Sequence, residues 1–190
     1  MLGDFYGEGA EHFKPIPFVY EDHKRVHAFD KDTIDCALIA LTYLEEKLLE
    51  ANGRVPFSFQ GQLERPWDEY DGFAILGFPT EDVTSDVNDD RSGPVTITVR
   101  PGLSPVKRMM TRPAGFPQHV APWFYGELLD HSHPASIVGM SGGPIVGLKK
   151  NGENLDYWII AIQSQWYEKP RITLGCPLPL VLDVLQNAVK

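Results

Sequence analysis

Ser141 is the residue in this chain best placed by its neighbours to act as a nucleophile. It lies in the glycine-rich segment 139–144, Gly-Met-Ser-Gly-Gly-Pro, with apolar residues on both sides. A serine between glycines on a tight turn projects its hydroxyl from the backbone, and the unobstructed N–H groups beside it can converge on one point. Such convergence is what an oxyanion hole requires, so the segment favours acyl transfer to a serine. A glycine-rich structural turn between two strands is the alternative.

The longer signature resembles the Gly-x-Ser-Gly-Gly-Pro motif of trypsin-like and chymotrypsin-like serine peptidases. Residues 158–164, Trp-Ile-Ile-Ala-Ile-Gln-Ser, resemble the next strand of that family, an apolar run ending in a serine whose backbone lines the substrate-binding wall. The resemblance implies that Ser141 Oγ is the nucleophile and that the N–H groups of Gly139 and Ser141 form the oxyanion hole. Met140 replaces the acidic residue common there, which indicates a bacterial-type relative that needs no zymogen activation.

Asp35 is an acid inside an otherwise apolar run, residues 33–41. A carboxylate in an apolar strand is costly unless it is hydrogen-bonded, and a histidine N–H would be a suitable partner. Residues 34–39 resemble the family's Asp-Ile-Ala-Leu-Ile segment, which implies that Asp35 orients the catalytic imidazole. Its spacing to Ser141 is close to the roughly 95 positions of the family order. An edge-strand acid facing water is the alternative.

The catalytic histidine has no clear match. In the family order it precedes the aspartate by about 45 positions, whereas 34 residues precede Asp35 here. His27 is the candidate base, although its neighbours look more like the family's non-catalytic histidine, and His23 and His12 are further candidates. Two explanations stay open: the chain is a fragment whose histidine lies upstream of Met1, or it is a reduced homologue that has lost hydrolysis.

The family pattern also implies three substrate-binding residues. Counting back from the serine places Ala135 near the floor of the primary specificity pocket, without a carboxylate to attract Lys or Arg. Ser164 ends the strand along the binding wall, and Trp166 stands where the family often has a glycine. A small or shallow pocket is the expectation.

Other reactive side chains suggest simpler roles. His131 and His133 alternate as metal ligands can, but two ligands without an evident third favour exposed loop histidines. Cys36 and Cys176 lie far apart beside apolar residues, and we expect both to be buried free thiols. We therefore expect neither a metal nor another cofactor.

The elements that must position these residues are mainly strands. Strand-like runs cover residues 16–20, 33–41, 72–78, 95–99, 137–146, 157–163 and 171–174. Helices are predicted over residues 42–51 and 178–189. Residues 81–93 are predicted to form an exposed acidic loop. With the resemblance, this predicts an all-β fold: a chymotrypsin-like double β-barrel with a truncated first barrel and a C-terminal helix. Residues 1–69 would hold the first-barrel remnant and a connector helix, and residues 70–190 the complete barrel with its closing helix.

The charge and composition of the chain disfavour some classes of binding partner. The formal charge of −9 repels phosphate backbones and anionic lipids, so we expect neither nucleic-acid nor membrane binding. The amino terminus lacks a signal-peptide pattern and no apolar run reaches membrane-spanning length, which predicts a cytoplasmic protein.

Two functions of different classes follow. The first is a trypsin-like serine endopeptidase acting on a peptide or protein. The second is a catalytically silent protease-fold module whose cleft, or whose aromatic residues 123–125 and 166–167, holds a protein partner, although aromatic clustering is more often core packing. An α/β-hydrolase is excluded because no histidine follows Ser141.

Overall fold

A computed structural model describes residues 21, 23, 25–30, 34–54, 56, 65–86, 96–116, 123–129 and 134–188. Two compact units divide the chain: Met1–His27 with Ala37–Phe59, and Ala28–Cys36 with Gln60–Lys190. The strands and helices in chain order are β1 (Arg25–Asp30), β2 (Ile34–Ile39), α1 (Tyr43–Ala51), β3 (Gly72–Gly77), β4 (Val83–Asp86), β5 (Thr96–Val99), β6 (Gly102–Arg108), β7 (Phe124–Leu128), β8 (Pro144–Asn151), β9 (Asn154–Tyr167), β10 (Ile172–Pro177) and α2 (Leu178–Ala188). Short 3₁₀ turns lie at Trp67–Glu69 and Thr80–Asp82.

Helix α1 confirms the helix predicted over residues 42–51. Thr42 is its N-cap, and the Thr42 side chain accepts the backbone N–H of Glu45 while the Glu45 carboxylate accepts the backbone N–H of Thr42. This capping box satisfies two N–H groups that a helix start otherwise leaves unpaired. Asn52 and Gly53 end the helix, as the sequence predicts.

Strands β1 and β2 form a two-stranded sheet. β2 falls inside the apolar run from which a strand was predicted. It carries Asp35, and β1 carries His27, so the two candidate residues lie on paired strands.

Six strands close into an antiparallel barrel in which the neighbours run β10-β7-β6-β3-β8-β9. β8 returns beside β3, on the opposite edge from β6 and β7, which is the spatial order of a Greek key. The hairpin of β9 and β10 then closes the barrel. β7 and β8 lie on opposite sides of this ring, and Ser141 lies in the chain three residues before β8 begins.

The barrel forms because its strands present apolar residues to one face. β6 shows the pattern, with Gly102, Ser104 and Val106 buried and the residues between them exposed. The buried core consists of Tyr70, Ile75, Val106, Phe124, Leu128, Ile137, Met140, Ile145, Ile160 and Ala161. The Phe124 ring sits centrally, with its centroid 5.8 Å from that of Trp67 and 5.4 Å from that of Phe73.

The observed architecture confirms the all-β fold at the level of a mostly β chain with one closed six-stranded barrel and a C-terminal helix. The acidic segment differs from its prediction as a loop over residues 81–93. β4 pairs there with β5, Val83 opposite Val99. Val83 and Thr84 are exposed, so β4 has no need of a row of buried apolar residues. Its sequence therefore lacks the apolar alternation by which a strand is predicted. No helix formed by the described residues is long and apolar enough to cross a membrane.

Candidate active site

Two consecutive β-turns shape the backbone at Ser141. In the first, Met140 donates its N–H to the Ile137 carbonyl at 3.1 Å, and Gly139 has a φ of 91°. In the second, Gly143 donates to the Met140 carbonyl at 2.9 Å, and Gly142 has a φ of 85°. A positive φ at the third residue is the requirement of a type II turn, and glycine meets it without strain. The exposed Ser141 is the second residue of the second turn.

Two backbone N–H groups of the turns donate to no residue in the described part of the chain. Hydrogen bonds employ the N–H groups of Val138 to Ser136 Oγ at 3.3 Å, Met140 and Gly143 within the turns, and Gly142 to the Gln163 carbonyl at 2.8 Å. Within residues 138–143, only the N–H groups of Gly139 and Ser141 donate to none of the residues that the structure describes. These are the two groups that the family resemblance assigns to the oxyanion hole.

Buried apolar side chains fix the turns from below. Met140 and Ile137 are each 1% exposed and belong to the barrel core. Ser104 Oγ, also fully buried, donates to Met140 Sδ at 3.9 Å. Met140 is therefore an apolar anchor that is buried beneath the exposed Ser141.

Two glycines let the turns approach neighbouring backbone. A Cβ on Gly139 would collide with Thr80 Oγ1 and lie 3.0 Å from the Phe78 carbonyl oxygen. A Cβ on Gly143 would collide with the Leu76 carbonyl oxygen. The Thr80 N–H also donates to the Val138 carbonyl at 2.8 Å. The serine segment is thus held against the chain that leaves β3.

The arrangement suits addition of a hydroxyl to a carbonyl. The hydroxyl-bearing residue is exposed, and the N–H groups of Gly139 and Ser141, on either side of Met140, donate to no residue that the structure describes. Preorganised donors of this kind stabilise charge that develops in an acyl-transfer transition state.

The three predicted pocket residues occupy different settings. Ala135 is exposed; its N–H donates to Glu81 Oε1 at 2.7 Å and its carbonyl accepts from Arg171 Nη1 at 2.9 Å. Ser164 lies at a β-bulge, where the register between β9 and β10 shifts. Trp166 packs against the barrel core, and its buried Nε1 has no hydrogen-bond partner among the described residues.

The triad candidates are described only in part. The backbones of Asp35 and His27 lie in β2 and β1, but their side chains fall outside the description. His12, His131 and His133 lie outside the described residues.

His23 and Glu45 form a buried histidine–carboxylate pair that the sequence analysis did not predict. The buried His23 places Nε2 at 2.8 Å and 2.7 Å from the two carboxylate oxygens of Glu45. The N–H of Thr42 and then His23 hold the pKa of Glu45 below its ordinary value. The capping box could have identified Glu45 as a structural residue, but its pairing with His23 is a tertiary contact that no sequence spacing indicates.

The remaining candidates are structural. Cys176 is a buried free thiol, as predicted, whereas the Cys36 side chain is outside the description. The aromatic residues Trp123, Phe124 and Tyr125 are all buried, so they pack inside the protein. No group of three His, Cys, Asp or Glu side chains able to hold a metal occurs in the described part of the chain.

Comparison with known proteins gives no relative: the chain matches no protein-family model, no curated protein and no solved structure.

Proposed function

We propose that this chain is a trypsin-like serine endopeptidase in which Ser141 attacks the peptide carbonyl. The observation that carries the proposal is the pair of turns at residues 137–143, which leave the N–H groups of Gly139 and Ser141 without an acceptor among the described residues. Both N–H groups lie on the exposed face of the turns beside the exposed serine, where a substrate oxygen could reach them. The signature sequence adds independent support.

The proposed reaction proceeds through an acyl-enzyme. Ser141 Oγ bonds to the carbonyl carbon while its proton passes to an imidazole, proposed from the family resemblance to be that of His27 oriented by Asp35. The carbonyl oxygen becomes negative and accepts the N–H groups of Gly139 and Ser141. The C–N bond then breaks, the amine leaves with the proton from the imidazolium, and water hydrolyses the ester by the same steps in reverse order.

The turns at residues 137–143 would contribute to catalysis by placing the two oxyanion donors. Loss of one oxyanion donor typically lowers kcat by about 10²–10³. Loss of the orienting carboxylate typically lowers it by about 10⁴. Peptide hydrolysis therefore needs both the turns described here and the proposed Asp35–His27 pair.

Covalent labelling tests the proposal. The full chain is incubated with a fluorophosphonate, which reacts with activated serines, and the adduct is located by mass spectrometry of peptides. We expect the adduct on Ser141, none in Ser141→Ala, and a rate about 10³–10⁴ lower in Asp35→Asn. Thr84→Ala, which removes an exposed hydroxyl from β4, is the matched control and should label at the wild-type rate. An unlabelled Ser141 in folded protein would contradict the endopeptidase.

A catalytically silent binding module is the second candidate. Ser141 Oγ makes no hydrogen bond to any residue within the described ranges, and the Nε2 atom of the buried His23 is bound to Glu45. Such a module would use the unused N–H groups of Gly139 and Ser141 to hold an oxygen of a partner without cleaving it. Absence of labelling together with unchanged binding of peptides in Ser141→Ala would select this function.

A further inference from the structure

Arg171 has a backbone conformation that its residue type disfavours. Its φ is 67°, and among the described residues it is the only one other than glycine with a positive φ. This left-handed conformation strains a residue that carries a Cβ, whereas glycine adopts it freely. A strained residue that persists in a folded protein is a reason to look for a function of its side chain.

The Arg171 guanidinium binds the two ends of one chain segment. Nη2 donates to the Leu129 carbonyl at 3.2 Å, and Nη1 donates to the Ala135 carbonyl at 2.9 Å. Leu129 directly follows β7, and Ala135 lies six residues before Ser141. A planar guanidinium holds two acceptors at once in a fixed geometry, which the ammonium group of lysine does not reproduce. Arg171 therefore joins the end of β7 to the start of the serine segment.

The backbone of Arg171 is held by the same part of the barrel. Its N–H donates to the Tyr167 carbonyl at 2.9 Å, and its carbonyl accepts the Leu128 N–H at 2.9 Å. Tyr167 is the last residue of β9 and Leu128 is the last residue of β7. The guanidinium therefore extends from a turn that two strands of the barrel hold in place.

Glu81 holds Ala135 from its other side. The Ala135 N–H donates to Glu81 Oε1 at 2.7 Å, while the Ala135 carbonyl accepts from Arg171. Each of these bonds includes a charged side chain, and such bonds are about twice as strong as bonds between neutral groups. Ala135 itself is exposed, so burial of its own side chain does not fix it. The two charged side chains therefore set the position of this residue.

Two further hydrogen bonds carry that position into the first turn. Directly after Ala135, the Ser136 hydroxyl accepts the Val138 N–H at 3.3 Å. The turn then closes through the Met140 N–H, which is bound at 3.1 Å. Gly139 lies between these two bound N–H groups. The direction of its own N–H therefore depends on how the chain enters the turn.

We propose that Arg171 is a positioning residue for the nucleophile: by holding the chain that enters the first turn, it directs the Gly139 N–H toward the substrate oxygen. The proposal rests on the endopeptidase function proposed above. Arg171 does not touch the reacting atoms and acts through Ala135. This role also accounts for the strain, because a glycine at position 171 would keep the backbone conformation and lose the guanidinium.

Fluorophosphonate labelling of the full chain tests this role. Rates measured over a range of probe concentrations separate the maximal rate from the concentration that half-saturates it. In Arg171→Gly we expect the maximal rate to be about 10- to 100-fold lower at an unchanged half-saturating concentration, because a misplaced donor weakens the transition state alone. Loss of folded protein would instead lower the final extent of labelling.

Two further variants assign the effect to the bridge between the two carbonyls. Arg171→Lys keeps the positive charge without the planar fork, so its maximal rate should fall as in Arg171→Gly. Arg112→Gly is the matched control, since Arg112 Nη1 donates to the Phe116 carbonyl at 2.8 Å in the chain that follows β6. It should label at the wild-type rate. A wild-type rate in either Arg171 variant would overturn the proposal, as would an equal loss in Arg112→Gly.

Amide hydrogen exchange measured by NMR separates this proposal from the endopeptidase itself. In Arg171→Gly the N–H groups of Ala135, Val138 and Met140 should exchange about tenfold faster, because the segment opens more easily. Arg112→Gly should leave their exchange unchanged. Unchanged exchange in Arg171→Gly would overturn the positioning role even if Ser141 labels. Faster exchange in a chain whose wild-type Ser141 resists the probe would sustain that role and refute the endopeptidase.

Discussion

The Gly142 N–H donates to the Gln163 carbonyl at 2.8 Å and so joins the residue after Ser141 to β9. Because its N–H is used in this bond, Gly142 does not offer a third donor beside the N–H groups of Gly139 and Ser141. It also fixes the third residue of the turn, whose φ of 85° is one that side-chain-bearing residues rarely adopt. The geometry at Ser141 therefore depends on a contact made well beyond it in the chain.

A matched pair of glycine substitutions tests the role of the second turn. Gly142 has a φ of 85° and Gly152, between β8 and β9, has one of 62°, and a Cβ on either would meet no atom within 4 Å. Alanine should therefore destabilise both proteins similarly, by about 1–2 kcal/mol, through left-handed backbone strain alone. Only Gly142→Ala should slow fluorophosphonate labelling of Ser141, since Gly152 lies in a distant hairpin. Equal labelling rates in the two variants would argue against a catalytic turn.

Gly139→Ala should be more damaging than Gly142→Ala. It combines a φ of 91° with collision against Thr80 Oγ1, so we expect a loss of about 2–4 kcal/mol in urea unfolding. Adding Thr80→Ala removes the colliding oxygen and should recover part of that loss, which a double-mutant cycle measures. If the losses in the free energy of unfolding caused by Gly139→Ala and Thr80→Ala simply add, then the two residues are not in close contact.

Met140 should contribute stability as a core residue. It is 1% exposed, whereas Met110 is 73% exposed. Met140→Ala should cost about 2–5 kcal/mol in urea unfolding, and Met110→Ala should change stability by less than about 0.5 kcal/mol. Similar values for the two variants would show that Met140 does not anchor the turns.

Glu45 should make the free energy of unfolding depend on pH. Hydrogen bonds with the Thr42 N–H and with His23 lower the pKa of Glu45 in the folded chain. The ionised carboxylate is therefore more stable in the folded state than in the unfolded state. The stabilisation is full above the ordinary Glu pKa of about 4.3 and is lost as pH falls through the lowered value. Unfolding free energies against pH should therefore decline in acid, and Glu45→Gln should make that decline smaller, while the part due to Asp71, whose pKa is also lowered, remains.

The control for that decline is Glu46→Gln, which alters an exposed carboxylate in the same helical turn. Its profile should retain the wild-type acid decline. A Glu45→Gln profile parallel to wild type throughout would show that the contacts of Glu45 with Thr42 and His23 contribute nothing.

Local signals in the sequence predicted the local structures. The helix formers over residues 42–51 predicted α1, because helix propensity is a property of single residues. The glycines at 139 and 142 likewise predicted a tight turn at Ser141, since the required φ is a property of single residues. Strand-like runs identified β3, β8, β9 and β10, but the barrel itself was expected from the family resemblance, because β6 and β7 were not identified. Pro105 in β6 and Gly126 in β7 interrupt the strand pattern there.

Tertiary features could not be predicted. β9 contains two register shifts, which break the alternation of inward and outward residues and conceal that Gln163 is buried. The pairing of His23 with Glu45 joins residues 22 positions apart through folding alone. The Asp35–His27–Ser141 triad stays a prediction, since it depends on side-chain positions outside the description.

The Greek-key order has a consequence for when the turn at Ser141 can form during synthesis of the chain. The serine segment precedes β8, yet its turn is completed by β9, and β9 is held in the ring by β10. A chain emerging from the ribosome therefore carries Ser141 before the strand that completes its turn has been made. The geometry of this turn belongs to the nearly finished chain and not to the glycine-rich segment alone.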